Sequence, residues 1–405
     1  MQQILNELIA IQNRLTALVP TEFIRYLEID WNKRLIAIAG ARGTGKTTLV
    51  LQHYMKYYQS SAECLYFSAD NPLVIKNGIY ETGKEYFSLY GNTVIIDEVH
   101  KQANWATDIK ALYDSFPDNK IIILGSSKLN IMNQKGDLSR RALIYNLRGL
   151  SFREFIELKN GIKLKAYSLS EILLDHVKIA NEILRHLPGI RKLFLEYKKI
   201  GFYPFFKQYT EPEYQSVIHN VIDKIIYEDV PSIKNIKSSS SLVLKKLLAY
   251  LAISKVPVVV VSNMCNELDI TKETLYEYLD LLDRADIINI VKRERSSLRS
   301  LQHSKVLLLN PNLYHAISGE LWSHETEQGN IREAFFVSQI EGTIFASEYV
   351  DYAIPMNNQM IEVEIGGKNK SRKQLQGLKD SRLFKDDIEI GYENVIPLFL
   401  AGFLY

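Results

Sequence analysis

The chain has 405 residues, 46% of them apolar, and a formal net charge of +2. This length suits two or three domains, and the near-neutral charge gives no overall field for nucleic acid or a membrane surface. No apolar run reaches the length of a membrane span, and the first ten residues lack the pattern of a signal peptide. Cys64 and Cys265 are far apart, and the eight histidines form no His-x-x-x-His pair, so we expect neither a disulfide framework nor a zinc site. A cytoplasmic protein with no membrane partner is expected.

The first 155 residues predict an α/β domain preceded by a helix. Residues 1–30 form the first predicted segment, an amphipathic helix over 1–19 that packs on the next domain through one apolar side, with members such as Leu8 and Leu18. Residues 31–155 then alternate strand and helix patterns. The candidate strands are 35–39, 64–68, 93–97, 121–125 and 142–147. We predict a parallel sheet covered on both faces, with ligands bound at the carboxyl ends of its strands.

A glycine-rich loop follows the first strand. Residues 40–48 read Gly-Ala-Arg-Gly-Thr-Gly-Lys-Thr-Thr, which fits the phosphate-binding pattern G-x-x-x-x-G-K-[ST] between a strand and a helix. The glycines let backbone N–H groups point at a polyphosphate, Lys46 reaches its β- and γ-phosphates, and the Thr47 hydroxyl holds Mg²⁺. The alternative is a glycine turn that binds nothing. The predicted ATP-binding residues are Gly40, Ala41, Arg42, Gly43, Thr44, Gly45, Lys46, Thr47 and Thr48.

Polar residues end the other strands. Asp97 and Glu98 follow the apolar run 93–96, so we predict that Asp97 holds Mg²⁺ and Glu98 polarises the attacking water. The alternative is a strand that happens to end in an acidic turn. Ser126 and Ser127 end the next strand, and either hydroxyl could orient the water or touch the γ-phosphate, unless the pair only forms a turn. Asp70 lines the same cleft or caps a turn.

Two arginines, Arg140 and Arg141, precede the fifth strand. An arginine presented to a γ-phosphate stabilises the charge of the transition state, and Arg141 is our candidate for this catalytic role. Otherwise the arginines are solvated or pair with carboxylates. An arginine that acts on a neighbouring site requires a second copy of the chain, which would make the protein a homo-oligomer.

The middle of the chain predicts a helical lid followed by a winged helix. Residues 156–237 carry helical patterns, and the polar run 234–241 reads as a linker. In the next domain, 238–320, helices are predicted over 242–253, 263–268 and 272–285, with Ser262 and Thr271 as caps. Strands over 287–291 and 305–309 complete the outline of a winged helix-turn-helix.

The charges of this winged helix disagree about its partner. The third helix would enter the major groove, yet it carries Glu273, Glu277 and Asp280 against one Lys272. The wing loop and its edges are basic, and their candidate phosphate contacts are Lys292, Arg293, Arg295, Arg299 and Lys305. The module therefore binds DNA or serves as a protein-packing unit.

Residues 321–405 predict a small α/β domain. A helix over 331–344 carries Glu333, and a strand over 360–365 carries Glu364. A basic turn follows, with a second set of candidate DNA contacts: Lys368, Lys370, Arg372 and Lys373.

Several of these motifs together resemble the prokaryotic AAA+-like ATPases of the archaeal ATPase and ORC-related group. The resemblance covers the loop 40–48, the runs 94–98, 125–127 and 138–155, the segment 194–204, the winged helix, and the C-terminal run 332–370. It implies strand order 5-1-4-3-2, Ser126 as the nucleotide sensor, where the family often has Asn or Thr, and Arg141 as the arginine finger.

The resemblance also implies a restriction-endonuclease-like fold for the last domain. An active nuclease of this fold needs a helix Glu, a strand-end Asp and a Glu-x-Lys sequence. Glu333 and Glu364 match, but Lys368 is displaced by two residues, and Asn357 or Asn358 stands at the Asp position unless Asp351 substitutes. We therefore expect an inactive domain that binds DNA ends or a partner.

The predicted function is Mg²⁺-dependent ATP hydrolysis coupled to a conformational change, in association with DNA. One alternative is a nucleotide-gated signalling or assembly switch that acts on a protein partner. A second alternative is an ATP-controlled nuclease.

Overall fold

The computed structural model describes residues 2–58, 60–125, 138, 141–234, 236–254, 258, 260–294, 301, 303–320 and 328–405. The chain divides into two compact units. Unit 1 comprises residues 1–149, 232–234 and 284–286, and unit 2 comprises 150–231, 235–283 and 287–405. Among the described residues, no helix is long and apolar enough to cross a membrane.

Unit 1 is built on a five-stranded parallel sheet. The strands are β1 (Leu35–Ala39), β2 (Cys64–Ser68), β3 (Thr93–Asp97), β4 (Lys120–Gly125) and β5 (Leu143–Asn146). Their order, β2-β3-β4-β1-β5, is the predicted order 5-1-4-3-2 read from the other edge. All four neighbouring pairs are parallel. The predicted α/β fold class and the predicted strands are confirmed.

Helices cover both faces of this sheet. They are α1 (Gln2–Ala17), α2 (Lys46–Tyr57), α3 (Pro72–Asn77), α4 (Ile79–Leu89) and α5 (Trp105–Ser115). Alternate residues of each strand enter two separate apolar clusters: Ala37 belongs to the cluster that includes α1, α4 and α5, whereas Ile36 and Ile38 pack with α2. Because the interiors of β1 to β4 are buried on both sides, these four strands read as continuous apolar runs, whereas β5 at the edge of the sheet is partly exposed.

Helix α1 lies against β2, an edge strand of the sheet. Leu5 and Leu8 are buried, as predicted, but Leu18 is 81% exposed because the helix ends at Ala17. Gln12 is fully buried, and its side-chain amide bonds the backbone of β2 at two points: Nε2 donates to Cys64 O (3.2 Å), and Oε1 accepts from Tyr66 N (2.6 Å). The amide thereby pairs backbone groups that an edge strand leaves open.

Unit 2 begins with helices. Their bounds are Phe152–Asn160, Leu169–His186, Ile190–Ile200, Glu211–Lys224, Val230–Ile233, Ser238–Ile253, Val261–Leu268, Lys272–Arg284, Pro311–Glu320 and Gln328–Gln339. The first opens with the predicted capping box of Ser151 and Glu154, and the second with that of Ser168 and Glu171. These boxes satisfy helix N–H groups and fix where each helix starts.

Two local predictions in this unit are wrong. The serines at 238–241 belong to a helix rather than to a linker, because the helix predicted from Leu242 already starts at Ser238. Ser262 lies inside the next helix, whose cap is Val260, whereas the Thr271 hydroxyl accepts from Thr274 N as predicted. Strands β6 (Ile288–Val291) and β7 (Lys305–Leu308) pair antiparallel, and Val258 forms a bridge with Lys305.

The end of unit 2 is a second five-stranded sheet. Its strands are β8 (Phe345–Ala346), β9 (Tyr352–Met356), β10 (Gln359–Gly366), β11 (Ser381–Lys385) and β12 (Val395–Pro397), and each pairs with the next. The pairs β8–β9 and β9–β10 are antiparallel, and the last two pairs are parallel. Asn357 and Asn358, both at positive φ, form the two-residue turn between β9 and β10.

We predict that Gln12→Leu destabilises the protein. The substitution leaves Cys64 O and Tyr66 N without the partners they have now, so the free energy of unfolding should fall by about 2–4 kcal/mol. Urea denaturation measures this change. Gln3→Leu, at an exposed position of the same helix, is the control and should have little effect. Equal stability of the two variants would contradict the pairing role of Gln12.

A second prediction concerns acid stability. The His53 ring lies buried against Trp31 (ring centroids 3.6 Å apart), and burial lowers the pKa of His53 to about 4. Because the unfolded chain takes up this proton near pH 6.5, stability should fall as the pH drops from 6.5 towards 4. We expect His53→Phe to reduce the stability lost between pH 7.5 and 5 by about 1–2 kcal/mol. His186→Phe, at an exposed position, should keep the wild-type profile.

Candidate nucleotide-binding site

The glycine-rich loop lies between β1 and α2, at the carboxyl edge of the first sheet. A Cβ atom at Gly40 would meet Leu147 O at 2.1 Å, so only glycine fits there. Gly43 and Gly45 have φ values of 86° and 92°, which glycine adopts without strain. Gly45 is also the N-cap of α2 and supplies no side-chain cap, so the first N–H groups of this helix face the loop for an anion.

Lys46 is buried under its own loop. Its Nζ donates to Gly40 O (2.8 Å) and Ala41 O (3.0 Å), and the residue is 7% exposed. Burial lowers the pKa of Lys46, and the charges of Glu98 and Asp97 oppose that effect. The ammonium group is thus held by two neutral carbonyls, which an anionic phosphate would outcompete as a partner.

Asp97 is the acceptor for three donors. Its Oδ2 accepts from Thr47 Oγ1 (2.6 Å) and Tyr66 Oη (3.0 Å), and its Oδ1 accepts from Glu98 N (2.8 Å). The carboxylate is 3% exposed. The end of β3 and the start of α2 therefore meet at one hydrogen bond, and two oxygen groups suited to Mg²⁺ stand side by side.

Glu98 follows directly in a left-handed backbone conformation, with φ of 50°. Its Oε2 lies 3.3 Å from His100 Nε2 on the one-turn helix Val99–Lys101. A non-glycine residue in this conformation costs about 1–3 kcal/mol, which the surrounding contacts must offset. The backbone turn and His100 together set the direction of the Glu98 side chain.

Three residues of this region were not predicted from the sequence. Tyr66 and His100 contact the two acidic residues, as described above. Arg25 joins the loop to the chain after β5, donating to Thr44 O (2.8 Å), Arg148 O (2.9 Å) and Gly149 O (2.9 Å). Tyr66 lies two residues before the end of its strand, which is the only sequence signal for it; Arg25 follows no pattern.

Arg141 lies before the amino-terminal end of β5, whereas the glycine loop lies at the carboxyl ends of the strands. It precedes β5, which runs parallel to β1, and it bonds Asp114 through Nε (3.1 Å) and Nη2 (3.1 Å) at the end of α5. Arg141 is therefore separated from the loop of its own chain. Ser126, Ser127, Arg140, Arg295 and Arg299 lie outside the described residues. Asp70 is exposed and accepts from Ser68 Oγ.

Most described members of the two basic sets have acidic partners. Arg293 pairs with Glu348 (3.2 Å), and Arg372 pairs with Glu393. Lys370 pairs with the buried Glu364. Lys368 and Lys373 are exposed, as are Glu273 and Asp280 on the helix Lys272–Arg284.

The structure decides between the alternatives predicted for the second acidic position and changes the predicted lysine. Asp351, not Asn357 or Asn358, stands beside Glu333, because the two asparagines occupy the hairpin turn. Lys370, not Lys368, reaches Glu364.

Strand order, loop and acidic strand end define unit 1 as a P-loop nucleotide-binding fold. Residues 32–156 match the family model of an AAA domain, and 191–323 match that of a domain of unknown function, DUF8612. An uncharacterised protein of Methanocaldococcus jannaschii is 30% identical over 282 residues, covering 65% of this chain and 58% of that protein. One of Haemophilus influenzae is 25% identical over 287 residues, covering 65% and 63%. The chain thus spans less than two thirds of either relative.

Two solved structures align with much of the chain at low TM-scores. The Walker-type ATPase PABY2304 of Pyrococcus abyssi has a TM-score of 0.39 and 11% identity, over 71% of this chain and 91% of that one. The ORC1 protein of Aeropyrum pernix, solved in complex with DNA, has a TM-score of 0.31 and 14% identity, over 77% and 92%. Similarity at this level says nothing about ligand or activity.

We predict that Tyr66→Phe weakens the setting of Asp97. Burial and the charge of Asp97 raise the pKa of the Tyr66 phenol, so it remains a donor over the ordinary pH range. Loss of a hydrogen bond to a buried carboxylate should lower the free energy of unfolding by about 1–3 kcal/mol. Urea denaturation tests this, with Tyr57→Phe, at a position 59% exposed, as the control. A loss no larger than that of the control would contradict it.

Proposed function

We propose that the chain binds and hydrolyses ATP in a Mg²⁺-dependent reaction. The observation that carries this proposal is the contact between Thr47 Oγ1 and Asp97 Oδ2 (2.6 Å), directly beside the phosphate loop. A glycine turn without a ligand would need no buried lysine beneath it and no buried carboxylate beside it. The AAA match over residues 32–156 supports the same reading.

The donor set beside the loop fits Mg²⁺. The hydroxyl of Thr47 and the carboxylate of Asp97 are hard oxygen ligands, and Tyr66 and Glu98 N hold the carboxylate in place. Bound Mg²⁺ would offset phosphate charge in the transition state. The loop amides and the N-terminus of α2 bind the phosphates, and Lys46 exchanges its two carbonyl partners for phosphate oxygens.

Glu98 is the proposed general base. Its carboxylate is aimed by the backbone turn at residue 98 and by His100, and it would take a proton from the attacking water. Arg141 would act only on a neighbouring copy, which makes an oligomer part of the proposed active state.

The charges of unit 2 bear on two possible partners, DNA and another protein. DNA association rests on the basic sets around Lys292 and Lys368. The nucleotide-gated switch with a protein partner is favoured by a specific observation: Arg293, Arg372 and Lys370 are paired with carboxylates, and Glu273 and Asp280 are exposed on the helix that would read a groove. We favour the switch on these charges.

The ATPase proposal is tested by steady-state turnover and nucleotide affinity. Glu98→Gln should keep ATP affinity but lower kcat by about 10²–10⁴-fold, because only the base is removed. Lys46→Ala should lose affinity. Glu81→Gln on α4, whose carboxylate pairs with Lys84 at the surface, is the matched control and should retain turnover. Equal rates for wild type and Glu98→Gln would contradict the role of Glu98.

The partner is decided by adding duplex DNA to the same assay at two salt concentrations. The switch predicts a slow rate that neither DNA nor salt changes. A rate that DNA raises and salt suppresses would instead establish DNA coupling, because phosphate contacts release counterions.

A further inference from the structure

A cluster of three carboxylates and two lysines, partly buried, lies beside the C-terminal sheet, with all five residues in unit 2. The carboxylates belong to Glu333 on the helix Gln328–Gln339, Asp351 just before β9, and Glu364 on β10. Glu333 is 8% exposed and Glu364 is 2% exposed. The resemblance seen in the sequence implies a helix Glu, an Asp and a strand Glu that hold a divalent ion, and these three acids are the candidates for those positions.

A lysine lies between two of these acids. Lys305 is the first residue of β7, and its Nζ lies 2.7 Å from Glu333 Oε2 and 2.7 Å from Asp351 Oδ1. It is 7% exposed and also lies over the Tyr352 ring, 4.6 Å from the centroid. Burial alone would lower the pKa of Lys305, but Glu333 and Asp351 outweigh it and raise that pKa. The ammonium group therefore stays charged.

Three further contacts reach the carboxylates of the cluster, one of them at the Glu333 oxygen that Lys305 also contacts. Glu333 Oε2 accepts from Tyr352 Oη (2.6 Å), and Asp351 Oδ2 accepts from Ile365 N (2.8 Å). Glu364 is held by Lys370. In the part of the chain that the structure describes, no three His, Cys, Asp or Glu side chains converge closely enough for a metal ion.

Gly366 lets Lys370 reach Glu364. A Cβ atom at residue 366 would lie 2.5 Å from both Cβ and Cγ of Lys370. In a Glu-x-Lys sequence the lysine would stand at position 366 itself. Here the glycine leaves that space open, and Lys370 folds back over the strand end to fill it.

We infer that Lys305 takes the place of the divalent ion in this cluster, and that the folded protein binds no metal ion there. With every group ionised, three carboxylates and two ammonium groups leave a net charge of only −1, and burial raises the pKa of Glu333 and Glu364, which favours their neutral forms. A divalent ion would have to displace Lys305 from both acids and would then stand next to its charge, which is strongly unfavourable in a buried site.

The cluster also fastens three elements of unit 2 together. Lys305 comes from the β6–β7 hairpin, Glu333 from a helix, and Asp351 from the C-terminal sheet. A backbone hydrogen bond from Ala346 N to Lys292 O (2.9 Å) joins the hairpin to the same sheet. The carboxylates thus serve as the anchor of the hairpin instead of as metal ligands.

Mn²⁺ binding to the full chain, measured by electron paramagnetic resonance without nucleotide, tests this inference. Wild type and Glu333→Gln should bind the same number of ions. Lys305→Ala should bind one more, and Lys305→Ala with Glu333→Gln should lose it again. Lys305→Arg keeps the charge and should bind no additional ion. Circular dichroism establishes that each variant is folded.

Three results would overturn the inference. The first is an ion that wild type binds and Glu333→Gln does not. The second is plasmid cleavage with Mn²⁺ that Glu364→Gln abolishes. The third is a folded Lys305→Ala that gains no ion. Should Lys305→Ala fail to fold, the comparison of wild type with Glu333→Gln decides alone. None of these readouts depends on ATP turnover, so failure of the proposed ATPase would be seen separately.

Discussion

The hydrogen bond from the Thr47 hydroxyl to the Asp97 carboxylate is the contact on which the nucleotide site depends. It joins the first turn of α2, the helix that follows β1, to the end of β3. In the sheet, β4 lies between β1 and β3. Both groups are useful only at this distance, because a divalent ion needs oxygen ligands that converge. Tyr66 and the backbone N–H of Glu98 hold Asp97 in its direction, while Gly40 allows the loop to approach Leu147.

The same principle governs the buried charges of unit 2. Lys305 is placed between Glu333 and Asp351, Lys370 covers Glu364, and Asp386 receives both Lys198 (2.6 Å) and Arg332 (3.0 Å). A charge removed from water must be paired, and removing one partner leaves the other uncompensated. In unit 1 the buried Lys46 donates to two neutral carbonyls, with the charges of Glu98 and Asp97 nearby. The two units therefore differ in how they pair their buried lysines. Carbonyl partners leave Lys46 available for an anionic ligand, whereas the carboxylates of unit 2 already occupy its lysines.

Local patterns predicted a large part of the fold. Each strand of the first sheet is a short apolar run bounded by polar residues, and the glycine loop can sit only between a strand and a helix, so 35–39, 64–68 and 93–97 were predicted to the residue. The prediction of a linker at 238–241 failed. It relied on the serine-rich composition, whereas the helix that carries the following apolar residues already starts at Ser238. The bonds of Gln12 and Arg25 were out of reach, since each joins segments that are distant along the chain.

The sequence by itself determined the P-loop, the acidic end of β3 and the order of strands and helices along the first domain. These features depend on the types of residues at short spacing. Tertiary structure alone decided which distant groups meet. It placed Arg141 at the end of the sheet away from the loop. Because β5 runs parallel to β1, a residue just before β5 lies opposite a loop that follows β1. It also placed Asp351 beside Glu333 instead of Asn357, because Asn357 lies in a hairpin turn. Lys370 reaches Glu364 instead of Lys368, because Gly366 has no Cβ atom in its way. Lys305, a residue of the predicted wing, pairs with the two acids Glu333 and Asp351, which lie far from it along the chain and which no local spacing connects to it.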